Sequence, residues 1–353
     1  MKQQQPYSLV TGANGFLGAT LVRKLIERGE RVKAFVRPET DLSSLKDLPQ
    51  DQLLLSVGNI MAEGSIYRAL TNVNRIYHTA ANFKLWDKNP KSIIAPAEVG
   101  TQHVLRAAKA RGVEKIVVTS SVAVLGTTGA DDEMDESHEL NLTDPEAYVQ
   151  AKLRAADVVA TAVEEGAPVV SVLPGTMAGP GDRKPTPNGQ MLLRYLKYWP
   201  SLPFPVVDGG LNIVDVEDVA LGHIAAMEKG VVGEQYILGG ENLTFQQIFE
   251  TLADITGLAE PSKPIGAGLA GLGGALFQLY AGLRGGEPII TSRIARDYVG
   301  HNVWVTSAKA EEELGYTHRS AREALARSVR WFLNNGYVSE QAASRVRLEL
   351  RPV

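Results

Sequence analysis

The sequence predicts a doubly wound α/β fold: a parallel sheet with helices on both faces, plus a smaller, discontinuous lobe toward the C-terminus. Three observations carry this. Short apolar runs alternate with helix-period segments through the first half of the chain, a rhythm that implies parallel strands joined by right-handed crossovers. The first run, Tyr7 to Val10, leads directly into T-G-A-N-G-F-L-G (Thr11 to Gly18) and then a helical pattern, the context in which a glycine fingerprint marks a dinucleotide site. After Thr176 the alternation breaks down into a proline-rich stretch.

The elements follow in order. Gly12 permits the turn, Gly15 lets a phosphate approach the backbone, and Gly18 lets helix and strand pack closely. The amides of Gly15, Phe16 and Leu17 are expected at the positive end of the first helix, facing a pyrophosphate. Leu17, Leu21, Leu25 and Ile26 recur at helical spacing, and Gly29 closes that helix. Further strands are expected at Arg31 to Val36, Leu53 to Val57, Arg75 to His78, Lys115 to Ser121 and Val169 to Leu173, with helices at Glu63 to Leu70, Glu98 to Ala110 and Tyr148 to Glu165. Ile213 to Val219 and Gln235 to Leu238 read as returns to the sheet or its edge. The expected division is thus 1–175 plus about 211–240 for the dinucleotide-binding domain, 176–210 plus 241–330 for the second lobe, and a charged, fraying tail at 338–353. Ligands should gather beyond the carboxyl ends of the strands.

Bulk properties narrow the function. The 353 residues suffice for a full core and a second lobe. A formal charge of -4 offers no general attraction to nucleic acid. The absence of cysteine excludes disulfides, thiolate metal sites and a cysteine nucleophile, and the six histidines are scattered without a metal-binding spacing. No apolar signal region follows Met1, so a cytoplasmic protein is expected. The uncharged, glycine-diluted stretch from Pro264 to Leu283 suits a buried or lid helix, or peripheral membrane contact, better than a span. The acidic run from Asp131 to Glu136 reads as a solvated loop.

Two features carry chemistry. Arg37 follows the second strand, where a carboxylate would bind a ribose 2′-hydroxyl and an arginine suits a 2′-phosphate; NADP(H) is therefore preferred, with NAD(H) left open. Tyr148 and Lys152, in Y-V-Q-A-K, form the chain's one Tyr-x-x-x-Lys, and helical spacing puts both on one face. A phenol titrating near pH 10 needs stabilisation of its anion by roughly 4 kcal/mol to work near pH 7, and a neighbouring ammonium has the right sign. Thr119-Ser120-Ser121 ends the preceding strand, where a hydroxyl can donate to a substrate carbonyl.

Taken together, T-G-A-N-G-F-L-G, H-T-A-A, V-V-T-S-S, Y-V-Q-A-K and L-P-G-T appear in an order that resembles the extended short-chain dehydrogenases/reductases, over nearly the whole chain. F-K-L-W-D-K-N-P, G-D-R-K-P-T-P-N-G, Y-I-L-G-G-E-N-L-T and S-A-K-A-E-E-E-L-G-Y are similar to dihydroflavonol-reductase-like proteins, including those termed hopanoid-associated sugar epimerases. The resemblance implies a Rossmann fold, Ser121, Tyr148 and Lys152 as catalytic residues, and Lys152 holding a ribose while lowering the tyrosine pKa. It also implies cofactor contacts from Asn59, Ile60, Ala80, Ala81, Thr119, Pro174 and Thr176, substrate contacts from Phe83 and Trp86, and a homodimer paired through the helix of the Tyr-Lys motif. Two positions depart from the family pattern: Ala97 stands where Asn is usual, and Asp215 where relatives carry His. The leading expectation is an NADPH-dependent reductase of a ketone or aldehyde on an apolar substrate. An epimerase or sterol-type dehydrogenase on the same scaffold, and a non-catalytic nucleotide sensor, remain the alternatives.

Overall fold

The computed structural model describes residues 5–81, 87, 89–129, 132–199, 206–261, 264–265 and 291–347. Seven parallel strands form the main sheet: β1 (Tyr7–Thr11), β2 (Val32–Val36), β3 (Leu53–Val57), β4 (Val73–His78), β5 (Lys115–Thr119), β6 (Val169–Pro174) and, after β7 to β9 below, β10 (Gln235–Leu238). Their order is β10-β6-β5-β4-β1-β2-β3. The chain starts near the middle, winds outward to one edge and returns past β1 to build the other half, which leaves a crevice where β1 and β4 diverge. β2 is buried at every position, as a strand covered on both faces must be. Even Lys33 in it is buried, its Nζ donating to the carbonyls of Ala69 (3.0 Å) and Thr71 (2.7 Å).

The covering helices are α1 (Phe16–Glu27), α2 (Glu63–Ala69), α3 (Lys91–Arg111), α4 (Ala147–Glu164) and, after α5 (Pro187–Tyr198), α6 (Val216–Lys229). α1 and α6 pack together on one face, α3 against α2 and α4 on the other. α3 starts at Lys91 rather than Glu98. Pro96 reads as a breaker in sequence, but inside a helix it forfeits one amide bond, and here Ile93, Ile94 and Ala97 pack against Ala147 and Ala151 of α4.

The second sheet is small. β9 (Gly210–Asp215) pairs with β7 (Thr176–Ala178), β11 (Glu241–Thr244) and β13 (Asn302–Val303). So Gln235 to Leu238 does join the main sheet at its edge, whereas the segment read as Ile213 to Val219 divides: β9 lies in the second sheet and ends at Asp215, which caps α6 by accepting from the Glu217 amide at 2.8 Å. An apolar strand pattern states that a segment is buried, not which sheet buries it. A separate core gathers α5, α7 (Phe245–Thr256) and the helix Ala321–Asn334 around Tyr195, Phe249 and Phe332.

Two loop expectations are refined. The acidic stretch after β5 is docked: Met134 is fully buried and bridges Val305, Glu133 accepts from Asn242 Nδ2 (2.7 Å), and Glu136 accepts from the Ile237 amide (2.7 Å). Asp132, Glu133 and Asp135 themselves stay exposed, as expected of a solvated acidic run, while Met134 between them pins the loop. The expected fraying tail is also held as far as described: Val338 and Ala342 are buried, and the Arg347 amide donates to Thr256 O at 2.7 Å. Pro264–Ile265 pairs with β8 (Val206–Val207) as β12; the rest of the 264–283 stretch lies outside the described residues. Among the described residues no helix is long and apolar enough to cross a membrane.

Candidate active site

The turn between β1 and α1 is built as a phosphate cradle must be. Gly12 has φ +67°, and a Cβ there would stand 2.8 Å from Ala80 Cα; a Cβ on Gly18 would stand 2.2 Å from Gly12 O. Neither position admits a side chain without moving backbone. Gly15 is the N-cap of α1, but its amide donates to Gly12 O at 2.9 Å, so the turn itself uses one of the three amides expected to face an anion. Phe16 and Leu17, in the first turn, have no intrahelical acceptor and point their amides out of the helix end.

Around this cradle lie the other expected cofactor residues. Ala80 donates its amide to Thr11 Oγ1 (3.2 Å) and abuts Gly12; Ala81 is exposed beside it. Arg37 follows β2 with its side chain in solvent. Asn59 is exposed just after β3, its Oδ1 accepting from the Met61 amide (3.0 Å), and Ile60 packs its side chain against Gly100 while His103 Nδ1 bonds its carbonyl (2.9 Å). Pro174 ends β6, and Thr176 opens β7 alongside Ile213. All of these lie at carboxyl ends of main-sheet strands or immediately after them.

Ser121, Tyr148 and Lys152 come together. Ser121 follows the end of β5, with its hydroxyl beside the Tyr148 phenol, where it favours the anion. Tyr148 and Lys152 lie one turn apart on α4, with Lys152 Nζ 6.0 Å from the phenol ring centroid. That ammonium is buried and donates to Thr119 O at 2.7 Å, tying α4 to the end of β5. Burial pushes the Lys152 pKa down to about 8. Tyr148 moves opposite to the sequence expectation: burial pushes it up to about 12, outweighing the Ser121 bond that favours the anion.

Two histidines that looked scattered flank this group. His78, at the end of β4, bridges Thr11 Oγ1 (2.8 Å) and Thr101 Oγ1 (3.2 Å); His223, on α6, bridges Thr119 Oγ1 (2.8 Å) and Val219 O (2.8 Å). Burial lowers both to about 4, with Lys152 a smaller cause in the same direction. The first histidine sits in H-T-A-A, but nothing in the sequence links it to a residue far along the chain. Tyr298 is a further residue missed in sequence: it packs against the apolar cluster that includes Val122, Met134 and Val305, and its phenol is raised by burial and by the nearby Asp297, Tyr148 and Glu146. Phe83 and Trp86 lie outside the described residues.

Asp215 sits apart from this group. It is fully buried at the start of α6, with Arg319 at 3.1 Å and Arg327 at 3.2 Å, and Glu217 and Asp218 share the two guanidinium groups. Asp215 thus anchors the helix Ala321–Asn334 to α6. Ala97, where Asn is usual, packs in the apolar contact between α3 and α4.

A doubly wound sheet with a glycine cradle and a Ser-Tyr-Lys group at its carboxyl edge defines a dinucleotide-dependent oxidoreductase, and comparison with known proteins agrees. Residues 8–239 match the NAD dependent epimerase/dehydratase family. The chain belongs to that family, the extended short-chain dehydrogenases/reductases, whose members are NAD(P)-dependent. It is 35% identical over 337 residues to a Synechocystis sp. protein provisionally named dihydroflavonol 4-reductase, covering 94% of this chain and 96% of that one. It is 32% identical over 339 residues to sterol demethylase protein B of Methylococcus capsulatus, covering 94% and 99%. The crystal structure of gox2253 superposes with a TM-score of 0.82 at 35% identity, covering 95% of this chain and all of the other.

Proposed function

We propose that this protein is an NADPH-dependent reductase of a ketone or aldehyde carried on a largely apolar small molecule. The observation that carries the reading is the assembled group: a serine hydroxyl beside a phenol, with a buried ammonium 6.0 Å from the ring. The cradle at Gly12, Gly15 and Gly18, with the Phe16 and Leu17 amides, suits a pyrophosphate; Arg37 suits a 2′-phosphate, and Asn59, Ile60, Ala80, Ala81, Thr119, Pro174 and Thr176 would line the rest of the cofactor. When bound, the nicotinamide supplies the hydride.

The protein's own groups then handle oxygen and proton. Ser121 donates to the substrate carbonyl oxygen as charge builds on it, and Tyr148 delivers a proton to that oxygen. A tyrosine at about 12 is protonated at neutral pH, so the phenol holds the proton that reduction requires. Lys152, charged below about pH 8, supplies positive field beside the phenolate left behind. Tyr298, Phe83 and Trp86 are assigned to the substrate side of the site. The name of the Methylococcus capsulatus relative supports an apolar, polycyclic substrate. It equally supports a second reading, a sterol-type dehydrogenase that oxidises an alcohol with NADP+.

The test follows NADPH absorbance against aldehydes, ketones, sterol ketones and nucleotide sugars, with the Tyr148→Phe variant beside the wild type. Consumption by the wild type alone supports the reading. Equal consumption by both removes Tyr148 from the chemistry, and sugar interconversion without net cofactor change makes the protein an epimerase. In the same assay Arg37→Ser is expected to raise KM for NADPH at least about tenfold while leaving NADH within about twofold, the loss of one charge-assisted phosphate contact.

A further inference from the structure

Thr119 makes two bonds from one residue. Its side chain, Oγ1, meets His223 Nε2 at 2.8 Å; its backbone carbonyl receives Lys152 Nζ at 2.7 Å. The direction of the first bond is fixed from the far end. His223 Nδ1 stands 2.8 Å from Val219 O, and a carbonyl only accepts, so Nδ1 carries the hydrogen. The ring is fully buried and neutral, so Nε2 is a bare acceptor and the Thr119 hydroxyl donates to it.

We propose that His223 is a positioning residue for the Tyr148–Lys152 pair: by accepting from the Thr119 hydroxyl it locks the end of β5, and so fixes the carbonyl on which the Lys152 ammonium rests. This rests on the functional reading above for its consequence, but not for its structural content. The lock matters because Lys152 has little else to hold it. Among the described residues no carboxylate lies within 4.0 Å of its Nζ, and the titratable groups around it are Tyr148 on its own helix, His78 from β4 and His223 from α6. Both histidines are neutral and neither pairs with the ammonium. Thr119 O is the acceptor that remains, and its peptide plane is held on the β6 side by the Ser120 amide, which donates to Val172 O at 2.8 Å. The His223 bond holds the same residue from α6, so the carbonyl is fixed from two sides.

The experiment compares Thr119→Val, which keeps size and carbonyl but loses the hydroxyl, with His223→Phe, His223→Gln and the Thr119→Val/His223→Phe double variant. The Lys152 ammonium is titrated in cofactor-free protein by isotope-labelled lysine NMR, with the signal assigned by its loss in Lys152→Arg. A displaced carbonyl stabilises the ammonium less, so Thr119→Val and His223→Phe are each expected to lower the Lys152 titration midpoint by about one pH unit, a tenfold change in its ionisation constant. The double variant should go no further than either single one, because both cut the same bond. His223→Gln, which can still accept through Oε1, should stay near wild type. The alkaline limb of kcat/KM should move by the same amount, with KM for substrate little changed. A Lys152 titration unmoved in folded Thr119→Val, or shifts that add in the double variant, overturns the proposal and leaves His223 as packing between α6 and the sheet. Shifts as expected in a protein that reduces no carbonyl would uphold the lock and sink the reductase reading alone.

Discussion

At the scale of single residues, burial decides the electrostatics, and its sign runs against charge for acid and base alike. Lys152 is lowered to about 8, Tyr148 raised to about 12, and His78 and His223 lowered to about 4. For the histidines, whose unfolded value is near 6.5, the unfolded chain takes up protons first as pH falls. Their stability contribution is complete above pH 6.5 and is lost as pH falls through about 4, up to about 3 kcal/mol for each ring. Urea denaturation at pH 7, 5.5 and 4.5 is expected to show that decline, and His223→Gln should flatten it. Removing the phenol oxygen with Tyr148→Phe is expected to lower kcat by about 10² to 10⁴, the range for a lost general acid, while NADPH binding measured by fluorescence stays within a few-fold. The Tyr-Lys spacing and the position of Ser121 were legible in sequence because they are local: four residues of one helix, and the end of the strand before it. The histidines were not legible, since each sits among apolar neighbours on its own element and only the crossover order of the sheet sets them on either side of Lys152.

At the scale of elements, the glycine turn and α1 act as one unit. A Cβ at Gly18 would stand 2.2 Å from Gly12 O, so Gly18→Ala must push the helix away from the strand. That moves the Phe16 and Leu17 amides, and the expected outcome is at least about a tenfold loss of dinucleotide affinity by fluorescence titration, with the fold retained by circular dichroism. The turn was readable from spacing alone, because only glycine meets both contacts; that the Gly15 amide is consumed within it was not, since no residue pattern reports a backbone bond. The course of α3 and the sheet to which β9 belongs were hidden for a related reason. Pro96 reads as a stop unless its neighbours are known to be packed, and β9 looks like any other buried strand until its partners are known.

For the whole molecule, the ion cluster around Asp215 joins pieces far apart in sequence. Asp215, Glu217 and Asp218 at the start of α6 hold Arg319 and Arg327, and Lys24 reaches Glu217 from α1 at 3.5 Å. Because Asp215 is fully buried, removing Arg327 leaves its carboxylate with Arg319 as its one remaining cationic partner. Arg327→Ala is expected to cost about 3 kcal/mol in urea denaturation, well above the 0 to 1 typical of an exposed pair. The sequence showed the cluster only as an acidic run and two arginines about a hundred residues later. Family order placed the fold; the joints between its parts depend on contacts that no local pattern encodes.

The loop between β5 and α4 spans the same divide. It leaves the strand that ends in Thr119, is clasped by Asn302, Val305, Ile237 and Asn242, and re-enters the sheet side at Glu146, which accepts from Thr291, two residues before Tyr148. A strap riveted at so many points transmits displacement instead of absorbing it. On the proposed function, a substrate that presses on this loop will therefore tug directly on Tyr148, and the quality of its fit will be felt at the reacting oxygen.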